Sequence, residues 1–232
     1  MRIKVIVPIL SNDRHLKSHA EMCEKLARPG TEVRVVGLSK GPETIEYHYD
    51  EEFAKIPLLE EVQKAEEEGF DAVLISCTGD PGLFACREIV GIPVVGLGQA
   101  ELFACMMLGG RICTLTPGNA AMTRDLIKSY GLEHFVVSVR TVPLSVSELE
   151  DKEKAKKAAL ELARRSILED GADVIMLDCA GFRGLMHDLQ KELGVPVVGP
   201  EVGVPIVEAL VLTGLTHSKI AFPKPAQKKR IK

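Results

Sequence analysis

The chain writes one of its segments twice, and a duplication at nearly half the chain length limits the fold more than any other feature of the sequence. Gly69, Asp71, Cys77, Gly79, Gly82 and Leu83 return as Gly171, Asp173, Cys179, Gly181, Gly184 and Leu185, at a constant offset of 102 residues. The offset then becomes 103, and GIPVVG at 91–96 returns as GVPVVG at 194–199. The opening strands also match, because Arg2, Ile3 and Pro8 recur 109 residues later as Arg111, Ile112 and Pro117. Such a chain is expected to form two pseudo-symmetric lobes with one repeated thiol in each and a site between them.

Short β-branched runs alternate with longer amphipathic ones. The pattern predicts strands at 3–8, 32–38, 71–76, 92–96, 111–116, 135–139, 173–178 and 195–199. Helical spacing appears at 13–27, 58–68, 120–130 and 151–170, and Gly69, Gly131 and Gly171 follow as helix stops. Strands that are apolar almost throughout, alternating with helices, imply parallel sheets covered on both faces. The expected fold is therefore α/β, with two lobes that each carry a four-stranded, mainly parallel sheet flanked by helices. Residues 1–98 would form the first lobe and 99–200 the second. The helical runs at 99–109 and 201–213 each follow the last strand of a half, so each is expected to pack on the other lobe, with 201–222 returning to the first. A cleft would remain at the carboxyl ends of the strands, where ligands of open α/β sheets bind.

Composition removes several classes. With 232 residues and 46% apolar content, the chain can bury one large core or two smaller ones. A net charge of −4 argues against a nucleic-acid surface, and the basic run at 228–232 reads as a solvated tail. No apolar run reaches the roughly 20 residues that span a bilayer, and the run at 3–10 is too short for a signal core and cleavage site. A cytoplasmic protein acting on a small molecule is expected, and a homo-oligomer is compatible with the sequence. Six cysteines without CxxC or CxxH spacing suggest neither a disulfide framework nor a zinc site, so no metal is expected. Cys23, Cys86, Cys105 and Cys113 fall in apolar patterns and read as small buried hydrophobes.

Cys77 and Cys179 differ, since each ends an apolar strand where the chain turns toward a helix. Asp80-Pro81 reads as an N-cap and first helical residue, and a thiol just before a helix start is expected to favour thiolate. Gly79 and Gly181 would let backbone amides approach a ligand closely. Duplication could simply have copied a small residue into two tight turns. The chemical alternative is that inverting a stereocentre needs a base on one face of a carbon and an acid on the other. Two equivalent thiols on opposing lobes meet that need, with sulfurs roughly 6–8 Å apart around a reacting carbon.

These residues resemble the aspartate/glutamate/hydantoin racemase family. SCTGDPGLFACREIVGIPVVGLGQA, from Ser76, is similar to the first-cysteine region of its hydantoin and allantoin racemase branch, and LDCAGF to that branch's second-cysteine motif. PETIEYHYDEE resembles the segment before the central helix, through Thr44, Ile45, Glu46, Tyr49 and Asp50. The resemblance runs to about Leu212 and implies a cofactor-independent racemase with Cys77 and Cys179 as acid and base.

Three positions depart from the family pattern. Val7-Pro8-Ile9-Leu10 keeps only the proline of Asn-Pro-Asn-Thr, leaving Ser11 and Asn12 as substitute contacts. Asp178 replaces the glycine before the second cysteine, and strand alternation suggests that its carboxylate points away from the thiol. Gln99 stands where glutamate is common.

Cys-Thr-Gly and Cys-Ala-Gly lack the polar groups that amino-acid racemases present to a zwitterion, so a 5-substituted hydantoin or related cyclic ureide is the expected substrate. Thr78, Gly79, Asp80, Thr116, Ala180 and Gly181 are the expected binding residues, together with His48 on a loop over the cleft. Glu101 and Glu201 begin the crossing helices, where the helix dipole accounts for first-turn carboxylates. An aspartate or glutamate racemase, a decarboxylase or cis/trans isomerase of the same fold, and a two-lobed binding protein remain the other readings.

Overall fold

The computed structural model describes residues 1–10 and 13–229, so Ser11 and Asn12 lie outside the described residues. The first half runs β1 (Arg2–Leu10), α1 (Asp13–Leu26), β2 (Glu32–Leu38), α2 (His48–Glu67), β3 (Ala72–Ile75), α3 (Leu83–Ile89), β4 (Val94–Gly96) and α4 (Leu97–Leu108). The second repeats the order with β5 (Ile112–Thr116), α5 (Ala120–Ser129), β6 (Val136–Thr141), α6 (Lys152–Arg165), β7 (Val174–Leu177), α7 (Met186–Leu193), β8 (Val197–Val198) and α8 (Gly203–Leu212). Two four-stranded sheets result, ordered β2-β1-β3-β4 and β6-β5-β7-β8, with every pairing parallel.

Strand alternation supplies both buried faces of each sheet. On β3, Val73 and Ile75 meet Ala54, Leu58 and Val62 of α2, whereas Ala72 and Leu74 face the opposite way. On β7, Ile175 and Leu177 meet Ala155, Ala159 and Ala163 of α6, whereas Val174 and Met176 face away. The faces turned away are covered by exchanged helices. Leu102 and Cys105 of α4 pack with Ile112 and Val174 in the second sheet, while Val204 and Val207 of α8 pack with Ile3, Val5 and Leu74 in the first. Glu208 fixes α8 to the first lobe by accepting from the Arg28 amide (2.9 Å) and the Thr31 hydroxyl (2.6 Å).

The repeated Arg, Gly and Asp build one clamp twice, at the amino ends of the strands. The Asp71 carboxylate accepts from the Arg2 amide (2.6 Å), as Asp173 does from that of Arg111 (2.8 Å). The Arg2 guanidinium donates to the carbonyls of Glu68 and Gly69, and that of Arg111 to those of Asp170 and Gly171. Gly69 and Gly171 have φ of 75° and 66°, the left-handed conformation that ends a helix and that glycine adopts without strain.

Two helix starts differ from expectation. α2 begins at His48, ten residues before the predicted 58, because its first turns carry HYDEEF and an internal Pro57, which mask the spacing of Ala54, Leu58, Val62 and Ala65. Asp50 secures that start by accepting from the amides of Glu46 and Tyr47, both at 3.0 Å. α3 starts at Leu83 with Gly82, not Asp80, in the capping position.

Candidate active site

A cavity with about 830 Å3 of empty space, its mouth included, lies where the carboxyl ends of both sets of strands meet. Cys77, Thr78 and Gly79 follow β3 into its wall, and Thr116, Cys179, Ala180 and Gly181 enter from β5 and β7. Val7, Ile9, Ile45, Met122, Leu126 and Val146 make much of the rest apolar. Hydrogen bonds cross between the lobes around it. The Val146 amide donates to the Glu46 carboxylate (3.2 Å), the Asn119 amide to the Glu46 carbonyl (3.2 Å), and Arg183 to the Ser18 hydroxyl (2.9 Å).

Burial, not a helix dipole, governs the thiols. It pushes Cys77 well above the usual thiol value, and Cys179 to about 12. Burial therefore opposes the expected preference for thiolate, and α3 starts six residues beyond Cys77, so its first turn does not adjoin that sulfur. Against burial, each sulfur has one amide. The Gly181 amide donates to Cys179 Sγ (3.3 Å), and that of Gly79 to Cys77. A β-carbon on Gly181 would lie 3.3 Å from Cys179 Sγ and 2.8 Å from Leu149, so the amide approach requires glycine. Cys179 is also among the groups that raise Cys77, so the two sulfurs are close enough to interact electrostatically.

Asp178 lines the cavity instead of pointing away. β7 ends at Leu177, so strand alternation no longer governs the next side chain. Its carboxylate accepts from the Thr123 hydroxyl (2.5 Å) and also from Thr78 and Thr116; burial raises its pKa to about 6 despite these bonds. It also opposes ionisation of Cys179.

Asp80 is absent from the lining. With φ at 49°, it turns its carboxylate to the start of α4, accepting from the amides of Gly98 (2.9 Å) and Gln99 (2.7 Å) and from the Tyr130 hydroxyl (2.6 Å). Burial raises it to about 7. Gln99 accepts in turn from Arg87 (2.6 Å). His48 sits in the first turn of α2, not on a loop, and its ring contacts Asp125 (3.2 Å) outside the cavity lining.

A helix dipole does not account for Glu101. Its side chain is fully buried, both carboxyl oxygens lack a partner among the described residues, and burial followed by Asp178, Glu201 and Asp80 drives its pKa far up. Glu201 accepts from the Gly184 amide (2.6 Å).

Sequence reasoning missed His15 and His19, which line the cavity from α1. Their four-residue spacing put them on one helix face, the only available signal. Glu150 was also missed; it joins the wall while bound to Arg183 (2.7 and 2.9 Å). Among the described residues no group of three or more His, Cys, Asp and Glu side chains is set to hold a metal ion, and no helix is long and apolar enough to cross a membrane.

Residues 3–203 match the family model described as Asp/Glu/hydantoin racemase. The chain is 38% identical to the hydantoin racemase of Pseudomonas sp. (strain NS671), over 99% of this chain and 93% of that one. Its fold is similar to that of the allantoin racemase from Pseudomonas fluorescens, with a TM-score of 0.94 and 33% identity over the whole of both chains. The allantoin racemase from Klebsiella pneumoniae gives 0.92 and 34%, covering 98% of this chain and 95% of that one.

Proposed function

The chain belongs to the Asp/Glu/hydantoin racemase family and is an isomerase on that ground, and from this membership we propose that it inverts the stereocentre of a 5-substituted hydantoin or related cyclic ureide, with Cys77 and Cys179 exchanging the roles of acid and base. One observation carries the reading: the two cysteines of the duplication, one from each lobe, line a single cavity. One sulfur as thiolate removes the hydrogen beside the ring carbonyl, and the other, as thiol, delivers a proton to the opposite face. The reverse direction exchanges the roles, and no cofactor is required.

Ring substrates suit this wall better than amino acids do. No lysine or arginine lines the cavity among the described residues, so an α-carboxylate would find no cationic side chain there. A hydantoin is neutral, and its carbanion delocalises into the adjacent carbonyl. At pH 8 a thiol held at about 12 is ionised roughly once in ten thousand, a cost of about 5 kcal/mol. Activity should therefore depend on a scarce thiolate, stabilised by the amides of Gly79 and Gly181.

Single enantiomers of 5-benzylhydantoin, allantoin, aspartate and glutamate, incubated with the protein in deuterated water, test the proposal by optical rotation and deuterium uptake. Loss of rotation together with α-deuteration of the hydantoins is expected. Racemisation confined to aspartate or glutamate, or none at all, would overturn it.

A further inference from the structure

His19 is 1% exposed and lies in the wall of the cavity, on α1. Its Nδ1 is 3.2 Å from the carbonyl oxygen of His15, one helical turn earlier. A carbonyl can only accept, so this contact assigns the ring proton to Nδ1 and leaves Nε2 with a bare lone pair. Nε2 is buried and has no partner among the described residues. Burial and the nearby Arg183 guanidinium hold the ring neutral, with a pKa of about 3. Arg183 does not serve Nε2 itself; its donors go to Glu150, to Ser18 Oγ and to the Ala180 carbonyl. A desolvated acceptor of fixed tautomer, without a donor among the described residues and carried by a side chain that lines a ligand cavity, is poised for a donor that arrives with the ligand.

We propose that His19 Nε2 accepts a hydrogen bond from a ring N–H of the substrate, which makes His19 a binding residue that selects ureide rings over rings lacking that N–H. The inference rests on the reading of the cavity as a ureide racemase site. A binding site built around such an acceptor disfavours an analogue that leaves it unpaired.

The test uses three substrates: 5-benzylhydantoin, its 3-methyl derivative, and 5-benzyl-oxazolidine-2,4-dione, in which oxygen replaces the N–H beside the stereocentre. Racemisation by the full chain is compared with that of His19→Phe and His19→Gln. His19→Phe should raise KM for the hydantoin about tenfold, the loss of one uncharged hydrogen bond, with little change in kcat. For whichever analogue lacks the contacted N–H, the same substitution should change kcat/KM little, so the preference for the hydantoin collapses. His19→Gln, whose amide oxygen can accept, should keep most of that preference.

Equal losses on all three substrates, or no loss on any, would overturn the assignment. If wild type racemises none of them, the parent proposal fails as well. Should His19→Phe fail to fold, 15N-histidine labelling of the unmodified protein decides. The unprotonated ring-nitrogen resonance, assigned by its absence in His19→Gln, must shift when the hydantoin is added and stay in place with the analogue lacking the N–H.

Discussion

Asp178→Asn separates two roles of one carboxylate by the pH dependence of the effect. Asp178 titrates near 6, and its charge opposes ionisation of Cys179, which lies at about 12. Above pH 7 the aspartate is ionised and the thiolate forms against a like charge. Below pH 5 it is protonated and that opposition is gone. A like charge a few ångströms away typically shifts a pKa by one unit or more, so removing it should raise the thiolate population at pH 8 about tenfold. Asparagine also disturbs the three threonine hydroxyls, which scales the rate by a factor that does not vary with pH. The ratio of mutant to wild-type kcat/KM therefore contains both effects, but only the charge changes with pH. That ratio should rise about tenfold between pH 5 and pH 8, with a midpoint near 6, in initial-rate polarimetry. A ratio flat across this range would refute the coupling and leave Asp178 only its hydrogen bonds to threonine.

Cys77→Ser and Cys179→Ser should each lower net racemisation by about 10^3-fold or more, because a hydroxyl is a far weaker base near neutral pH. Each should retain some hydrogen–deuterium exchange with a single enantiomer, and the two should prefer opposite ones by NMR; the same preference in both would contradict the two-base assignment. Asp80, raised by burial from 3.8 to about 7, binds its proton more tightly in the folded state, so its own contribution to stability is complete below pH 4 and is lost as pH rises to 7. Urea unfolding should show a loss of about 4 kcal/mol over that range that is missing in Asp80→Asn; identical slopes would disprove the linkage. Truncation after residue 200 should leave an insoluble or dye-binding product, because it bares Ile3, Val5 and Leu74; a soluble, cooperatively melting fragment would contradict the role given to α8.

Much of the architecture was legible because duplication and strand chemistry speak through local pattern. Val73, Leu74 and Ile75 can scarcely be anything but a strand covered on both faces, and Gly171 ends its helix by the conformation it adopts. The exchange of α4 and α8 followed from each coming directly after the last strand of its half. The cavity wall was harder to read, since it depends on where short segments turn after strands end. Asp80-Pro81 has the composition of a helix cap, yet the carboxylate caps a different helix, reached only through the tertiary fold. Asp178 lies one residue past the end of β7, where alternation stops predicting direction. His15 and His19 look like ordinary helix residues until Arg183 and Glu150, more than 130 residues away, come to lie beside them.

The exchange of helices has a consequence during synthesis. All four strands of the first sheet have left the ribosome once Gly96 is out, but the helix that covers Val5 and Leu74 begins only at Gly203. At roughly 5–20 residues per second, one face of that sheet waits about 5–20 s for its cover. The second sheet does not wait, because α4 precedes it in the chain. The apolar face of the nascent first lobe is thus completed only when the last helix arrives, so the N-terminal half depends on the end of the chain for its core.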